Sequence, residues 1–126
     1  SDISIKIKQP STTSINYGET LVLHADLGGK TLPDGYKIKW FVNSDAVTLR
    51  SGDNGMTCEV TSVKNSNVTV TARVVDKNGN EVKDVNGKEI SASQTVESKV
   101  NLWFRIVSFF KNLFGSNRTI AQMLFR

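Results

Sequence analysis

Few side chains in this sequence have the type and spacing to do chemistry. His24 is the single histidine, in the segment Leu21-Val22-Leu23-His24-Ala25-Asp26. Alternation points Leu21, Leu23 and Ala25 one way and His24 the other. A general base or metal ligand needs partners converging on it. Asp26, two residues on and on the same face, is the one neighbour that qualifies, and a lone outward histidine reads as surface decoration. Cys58 is the single cysteine and shares a face with Met56 and Val60. A reactive thiol needs an exposed, electropositive setting with a base beside it, so Cys58 reads as a small core residue. One cysteine forms neither an intrachain disulfide nor a paired-cysteine metal site.

The clusters Ser51-Gly52-Asp53-Asn54-Gly55 and Asp76-Lys77-Asn78-Gly79 offer oxygens of the kind calcium prefers. The spaced acids and closing glutamate of an EF-hand loop are missing, and these are the residues of ordinary turns. There is no glycine-rich phosphate loop, no serine elbow and no defensible pair of carboxylates. The sequence therefore nominates no catalytic residue, no metal ligand and no cofactor, and an enzyme is the least supported reading.

The elements that must position these residues are strands. Tyr36, Ile38, Trp40 and Val42 fall on one face of a run that reads as a central strand. A tryptophan there buries on the order of 200 Å² against a second sheet, which makes it the pivot of a two-layer protein. Ile3 to Lys8 alternates and stops before Pro10, reading as a first edge strand with outward lysines. Leu21 to Leu27 supplies a second strand. Pro33-Asp34-Gly35 turns the chain into the Trp40 strand. Val47-Thr48-Leu49 is a short strand; Met56, Cys58 and Val60 line the next, and Val68, Val70, Ala72 and Val74 the most β-branched one. A longer excursion over 76–89 contains Asn86-Gly87, a hairpin signal, and a last strand runs from Ile90 to about Val100. No internal repeat is expected. About seven strands with regularly spaced turns predict an all-β fold over residues 1–100, a β-sandwich with Greek-key connections.

Tyr17-Gly18-Glu19-Thr20-Leu21, Ile38 with Trp40, Cys58-Glu59-Val60-Thr61, and Val68-Thr69-Val70-Thr71-Ala72 with Asp76-Lys77-Asn78-Gly79 resemble the bacterial immunoglobulin-like domains of cell-surface proteins. The resemblance covers about residues 3–100. It implies an immunoglobulin-like β-sandwich, an extracellular place on a bacterial surface, no catalytic residues, and service as a spacer, adhesive module or accessory domain. Asn65-Ser66-Asn67 and the long 76–89 excursion depart from the usual pattern. In a bacterial chain the glycosylation-like triplets at Asn67 and Asn117 are chance matches. No leader is recognisable at Ser1, which suits a processed chain, part of a longer one or a cytosolic protein alike.

Charge divides the chain. Residues 1–97 hold eleven Lys and Arg against all twelve Asp and Glu, whereas residues 98–126 hold five bases and no acid. The basic balance belongs to the tail, so the body offers no excess charge to neutralise nucleic-acid phosphates. In residues 101–126 the period lengthens to that of a helix. Leu102, Trp103, Ile106, Val107, Phe109, Phe110, Leu113 and Phe114 form an apolar stripe, predicting an amphipathic helix over about 101–114 closed by Gly115. A second short helix is predicted over about 118–125. Thirteen residues from Leu102 to Phe114 span only about 20 Å, short of a bilayer core.

A closed sandwich has no interior room for this stripe. Three placements stay open: folded back on its own sandwich, joined to another copy, or laid in an anionic membrane interface, which the acid-free Trp, Phe, Lys and Arg composition suits. The stripe is thus the expected membrane or partner contact. The leading expectation is a noncatalytic extracellular structural or adhesion module. The alternative is a carbohydrate-binding accessory module, for which Phe41 is the one outward aromatic of the sandwich.

Overall fold

The computed structural model describes residues 3–101, 106, 107 and 109–111. Eight strands follow one another: β1 (Lys6–Ile7), β2 (Ser14–Asn16), β3 (Thr20–Asp26), β4 (Lys37–Val42), β5 (Val47–Gly52), β6 (Thr57–Ser62), β7 (Ser66–Val75) and β8 (Ser91–Lys99). They form two four-stranded sheets, ordered β1-β3-β6-β5 and β2-β8-β7-β4. Every pairing is antiparallel except β2 with β8, which run parallel.

The predicted inward faces meet between the sheets. Leu21, Leu23 and Ala25 of β3 and Cys58 and Val60 of β6 come from one sheet. Ile38 and Trp40 of β4, Val68, Val70, Ala72 and Val74 of β7 and Val96 of β8 come from the other, and all belong to one buried cluster. Each such valine or leucine contributes about 1.5–3 kcal/mol on leaving water, which is why alternation settles the faces. The architecture is an all-β sandwich. One polar tie crosses it: Ser62 of β6 and Ser98 of β8 are both buried with their hydroxyls 2.6 Å apart, and Ser98 Oγ also donates to the Lys64 carbonyl at 2.7 Å.

Three expectations need correction. The segment 3–8 is strand only at Lys6–Ile7, after which the chain crosses to the other sheet as β2. Ile3 and Ile5 are nevertheless buried, so the alternation there marks a face without a ladder. The Trp40 strand is not central but an edge, since β4 pairs only with β7. Its ring is sheltered by the turn Asp53–Gly55, which folds over the edge: Trp40 Nε1 donates to the Gly55 carbonyl at 2.7 Å. All three residues of that turn have positive φ, 50°, 55° and 89°.

Contrary to the third expectation, the chain repeats itself. Asp76-Lys77-Asn78-Gly79-Asn80-Glu81-Val82-Lys83 and Asp84-Val85-Asn86-Gly87-Lys88-Glu89-Ile90-Ser91 are two copies of one octapeptide pattern, and they fold alike. Asp76 Oδ1 accepts the amides of Asn78 and Asn80 at 2.9 and 3.0 Å; Asp84 Oδ1 accepts those of Asn86 and Lys88 at 2.8 and 3.0 Å. The closing bridges correspond as well, Val75 with Glu81 and Lys83 with Glu89.

Strand directions place the β3–β4, β5–β6 and β7–β8 connections at one end of the sandwich. The chain leaves β8 at the opposite end, where Val100 donates its amide to Asn65 Oδ1 at 3.2 Å. Of the predicted first tail helix, Ile106, Val107, Phe109, Phe110 and Lys111 are helical and Asn101 is not. The remainder of that helix and the second one lie outside the described residues.

Candidate functional site

Two regions compete as the working surface. The first is the predicted tail stripe, of which Leu102, Trp103, Leu113 and Phe114 lie outside the described residues. Phe109 is 60% exposed, while Ile106, Val107 and Phe110 are half-buried. Phe109 and Phe110 meet edge to face with ring centres 5.6 Å apart. The core cluster draws on residues 3–96 and none of these four. No helix among the described residues is long and apolar enough to cross a membrane.

The second region is the end of the sandwich where the three connections gather. Gly35 of the β3–β4 connection lies so close to Lys77 of the first octapeptide that a Cβ there would stand 3.1 Å from the lysine Cβ. Beside it opens a cleft of about 320 Å³ lined by Leu27, Lys30, Thr31, Leu32, Tyr36, Asn54 and Met56. One wall is set by the left-handed Asp53–Gly55 turn. Holding a non-glycine residue in that conformation costs on the order of 1–2 kcal/mol, and such strain collects where a structure must present a particular surface. Three hydrogen bonds keep it there: Met56 N to Asp53 O at 3.0 Å, Ala25 N to Met56 O at 2.8 Å, and the indole bond from Trp40. Leucine, methionine and tyrosine walls with an amide, a hydroxyl and an ammonium can hold an apolar group by its faces and hydrogen-bond its edge. Nothing in the residue pattern signals this cleft, because its lining comes from separate connections and contains only unremarkable residue types.

The singled-out residues fall elsewhere. His24 is exposed on β3 opposite Thr57, and the Asp26 carboxylate is turned away to accept the Gly28 amide at 2.8 Å. Cys58 is fully buried, and burial pushes its thiol up from 9.0 to about 11. Of the two calcium-like clusters, Asp53 and Asn54 form the left-handed turn, while Asp76 spends its Oδ1 on backbone amides, as Asp84 does in the repeat. Among the described residues no group of three or more His, Cys, Asp or Glu is arranged to hold a metal. Phe41 is outward on β4, but Arg73 lies over its ring at 4.5 Å and is itself held by Glu89, Nε to Oε2 at 3.1 Å. Glu89 is kept below the usual carboxylate range by its side-chain hydrogen bond with Glu81, then by the Arg73 charge and the Ser91 hydroxyl.

No protein-family model matches this chain, and no curated protein matches it.

Proposed function

We propose that the chain is a noncatalytic, immunoglobulin-like module of a bacterial surface protein. It serves as a structural or adhesive unit, with its basic C-terminal helix contacting a membrane, a partner or another copy. The observation that carries this reading is the strand order. An immunoglobulin constant-type sandwich sets its first, second, fifth and fourth strands in one sheet and its third, sixth and seventh in the other. Counting β1 and β2 as one split first strand, β1-β3-β6-β5 and β8-β7-β4 reproduce that arrangement, with β2 added beside β8.

The parallel pair suits a structural role. β2 is preceded by chain on one side of the sandwich and β8 is followed by chain on the other, so tension applied to both slides them past each other. Glu97 N to Thr13 O at 2.7 Å and Tyr17 N to Lys99 O at 3.0 Å bracket the ladder and would be loaded together. Single-molecule pulling between the two ends tests this. Wild type is expected to yield at a clearly higher force than Tyr17→Pro, which lacks the amide that reaches Lys99. Equal, low forces for both would remove the load-bearing role.

A further inference from the structure

Among the described residues the backbone edge of β5 is left open. Ala46 accepts from Val63, and the register pairs Thr48, Arg50 and Gly52 with Thr61, Glu59 and Thr57. Alternation of the antiparallel ladder then sends the peptide groups of Val47, Leu49 and Ser51 outward, away from β6. Among the described residues no hydrogen bond meets them. The other edges are shorter or partly covered: β1 has two residues, β2 has three, and on β4 Gly55 covers the Ile38 carbonyl, which leaves the outward groups of Trp40 and Val42. Val47-Thr48-Leu49-Arg50-Ser51-Gly52 contains no proline and no inward charge, the usual protections of an edge.

A cleft lies on each side of this strand, and Ser51 borders both. On the outer face a cleft of about 320 Å³ is lined by Val22, Arg50, Thr57 and Glu59 around Gly52. Gly52 has an ordinary extended backbone, φ −145°, so its conformation does not call for glycine. A Cβ there would stand 3.3 Å from Thr57 Oγ1, so the glycine makes room for that hydroxyl in the floor of the cleft. Between the two sheets a cleft of about 290 Å³ is lined by Lys37, Lys39, Trp40 and Val75. A strand added to β5 alternates its side chains between two such faces, so backbone bonds supply affinity and the clefts supply selection. The charges favour one occupant. Lys37, Lys39 and Arg50 make no ion pair among the described residues. Glu59 stands opposite Arg50 in the outer cleft, so the excess positive charge is that of Lys37 and Lys39; a second copy would set these cations against each other, whereas carboxylates would be attracted.

We propose that the open edge of β5 takes an extended, acidic segment of a partner protein as an added strand. Nothing in it depends on the load-bearing role above. The test is an NMR titration of the full chain with a short peptide alternating valine and glutamate. Two controls accompany it: the valine–lysine peptide and the glutamate peptide with alternate backbone nitrogens methylated. The glutamate peptide is expected to shift and protect the amides of Val47, Leu49 and Ser51, and to bind at least about tenfold more tightly than either control. Ser51→Pro removes an outward amide that β6 does not use, so it should abolish binding while the β3 and β6 amides stay unchanged. Lys37→Gln combined with Lys39→Gln should weaken binding about tenfold. Equal binding of the controls, shifts located elsewhere, indifference to Ser51→Pro, or no binding at millimolar peptide would overturn the proposal. So would β5 amides already protected in a sedimenting dimer without peptide.

Discussion

A methyl group at position 55 has nowhere to go. A Cβ there would stand 2.6 Å from the Ile38 carbonyl oxygen, and its φ of 89° is a conformation that side chains rarely adopt. Gly55→Ala must lift the turn off β4, lengthening the Trp40–Gly55 hydrogen bond and opening the edge that shelters the indole. We expect a loss of about 2–4 kcal/mol in urea unfolding, with indole emission shifted toward that of exposed tryptophan. Cys58 ties stability to pH. While both folded and unfolded chains keep the thiol proton, its titration is silent. Between pH 9 and about 11 the unfolded chain sheds the proton and the folded one holds it, so stability falls as pH rises through that window. The stability of Cys58→Ala should decline less across the same range, and parallel curves for the two proteins would contradict the burial of the thiol. Cys58 is legible as a core residue, whereas the cover that Gly55 gives Trp40 is not. Alternation revealed that Trp40 and Cys58 face inward, since the side-chain period is two, but period carries no information on which strands are neighbours. For that reason Trp40 read as central when it is an edge residue completed by a turn fifteen positions away.

Among the elements, the least legible was β2. Ser14-Ile15-Asn16 is too short for a pattern, and its partner β8 is about eighty residues distant. The octapeptide copies are legible only when set side by side, because each DxNG turn by itself has a sufficient local explanation. Their tandem arrangement leads to a prediction about register. In the β7–β8 ladder Arg73 faces Ser91, so the same register continued outward would set Val75 opposite Glu89. Removing residues 76–83 joins Val75 to Asp84 and leaves the remaining copy to close the hairpin, with Val75 meeting Glu89 as it now meets Glu81. Val74 keeps its bond to the Ile90 carbonyl, 2.9 Å at present. The shortened protein should fold with the β7–β8 pairing unchanged, losing about 1–2 kcal/mol with the half-buried Val82 side chain. Cross-strand proton contacts and a thermal melt would check it; a slipped β7–β8 register would show that the two copies are not equivalent units.

For the whole molecule, the sandwich was readable from strand spacing and the polarity of its faces, while the meeting of loops at one end was not, since it depends on strand order. What composition did expose is a division of labour in charge. The body carries twelve acids against eleven bases, and everything after Glu97 carries five bases and no acid. A near-neutral sandwich has little long-range attraction for an anionic surface, whereas each tail base brought close to one contributes on the order of 1 kcal/mol, screened within about 10 Å at moderate salt. If the tail is the part that meets a membrane, the full chain should co-sediment with vesicles of anionic lipid at low salt, weaken as salt is raised, and ignore vesicles of zwitterionic lipid. A version ending at Lys99 should stay in the supernatant throughout. Salt resistance in the full chain would point instead to apolar insertion of the stripe that includes Phe109. Binding that persists after truncation would move the contact onto the sandwich, where the acid-free segment has no part in it.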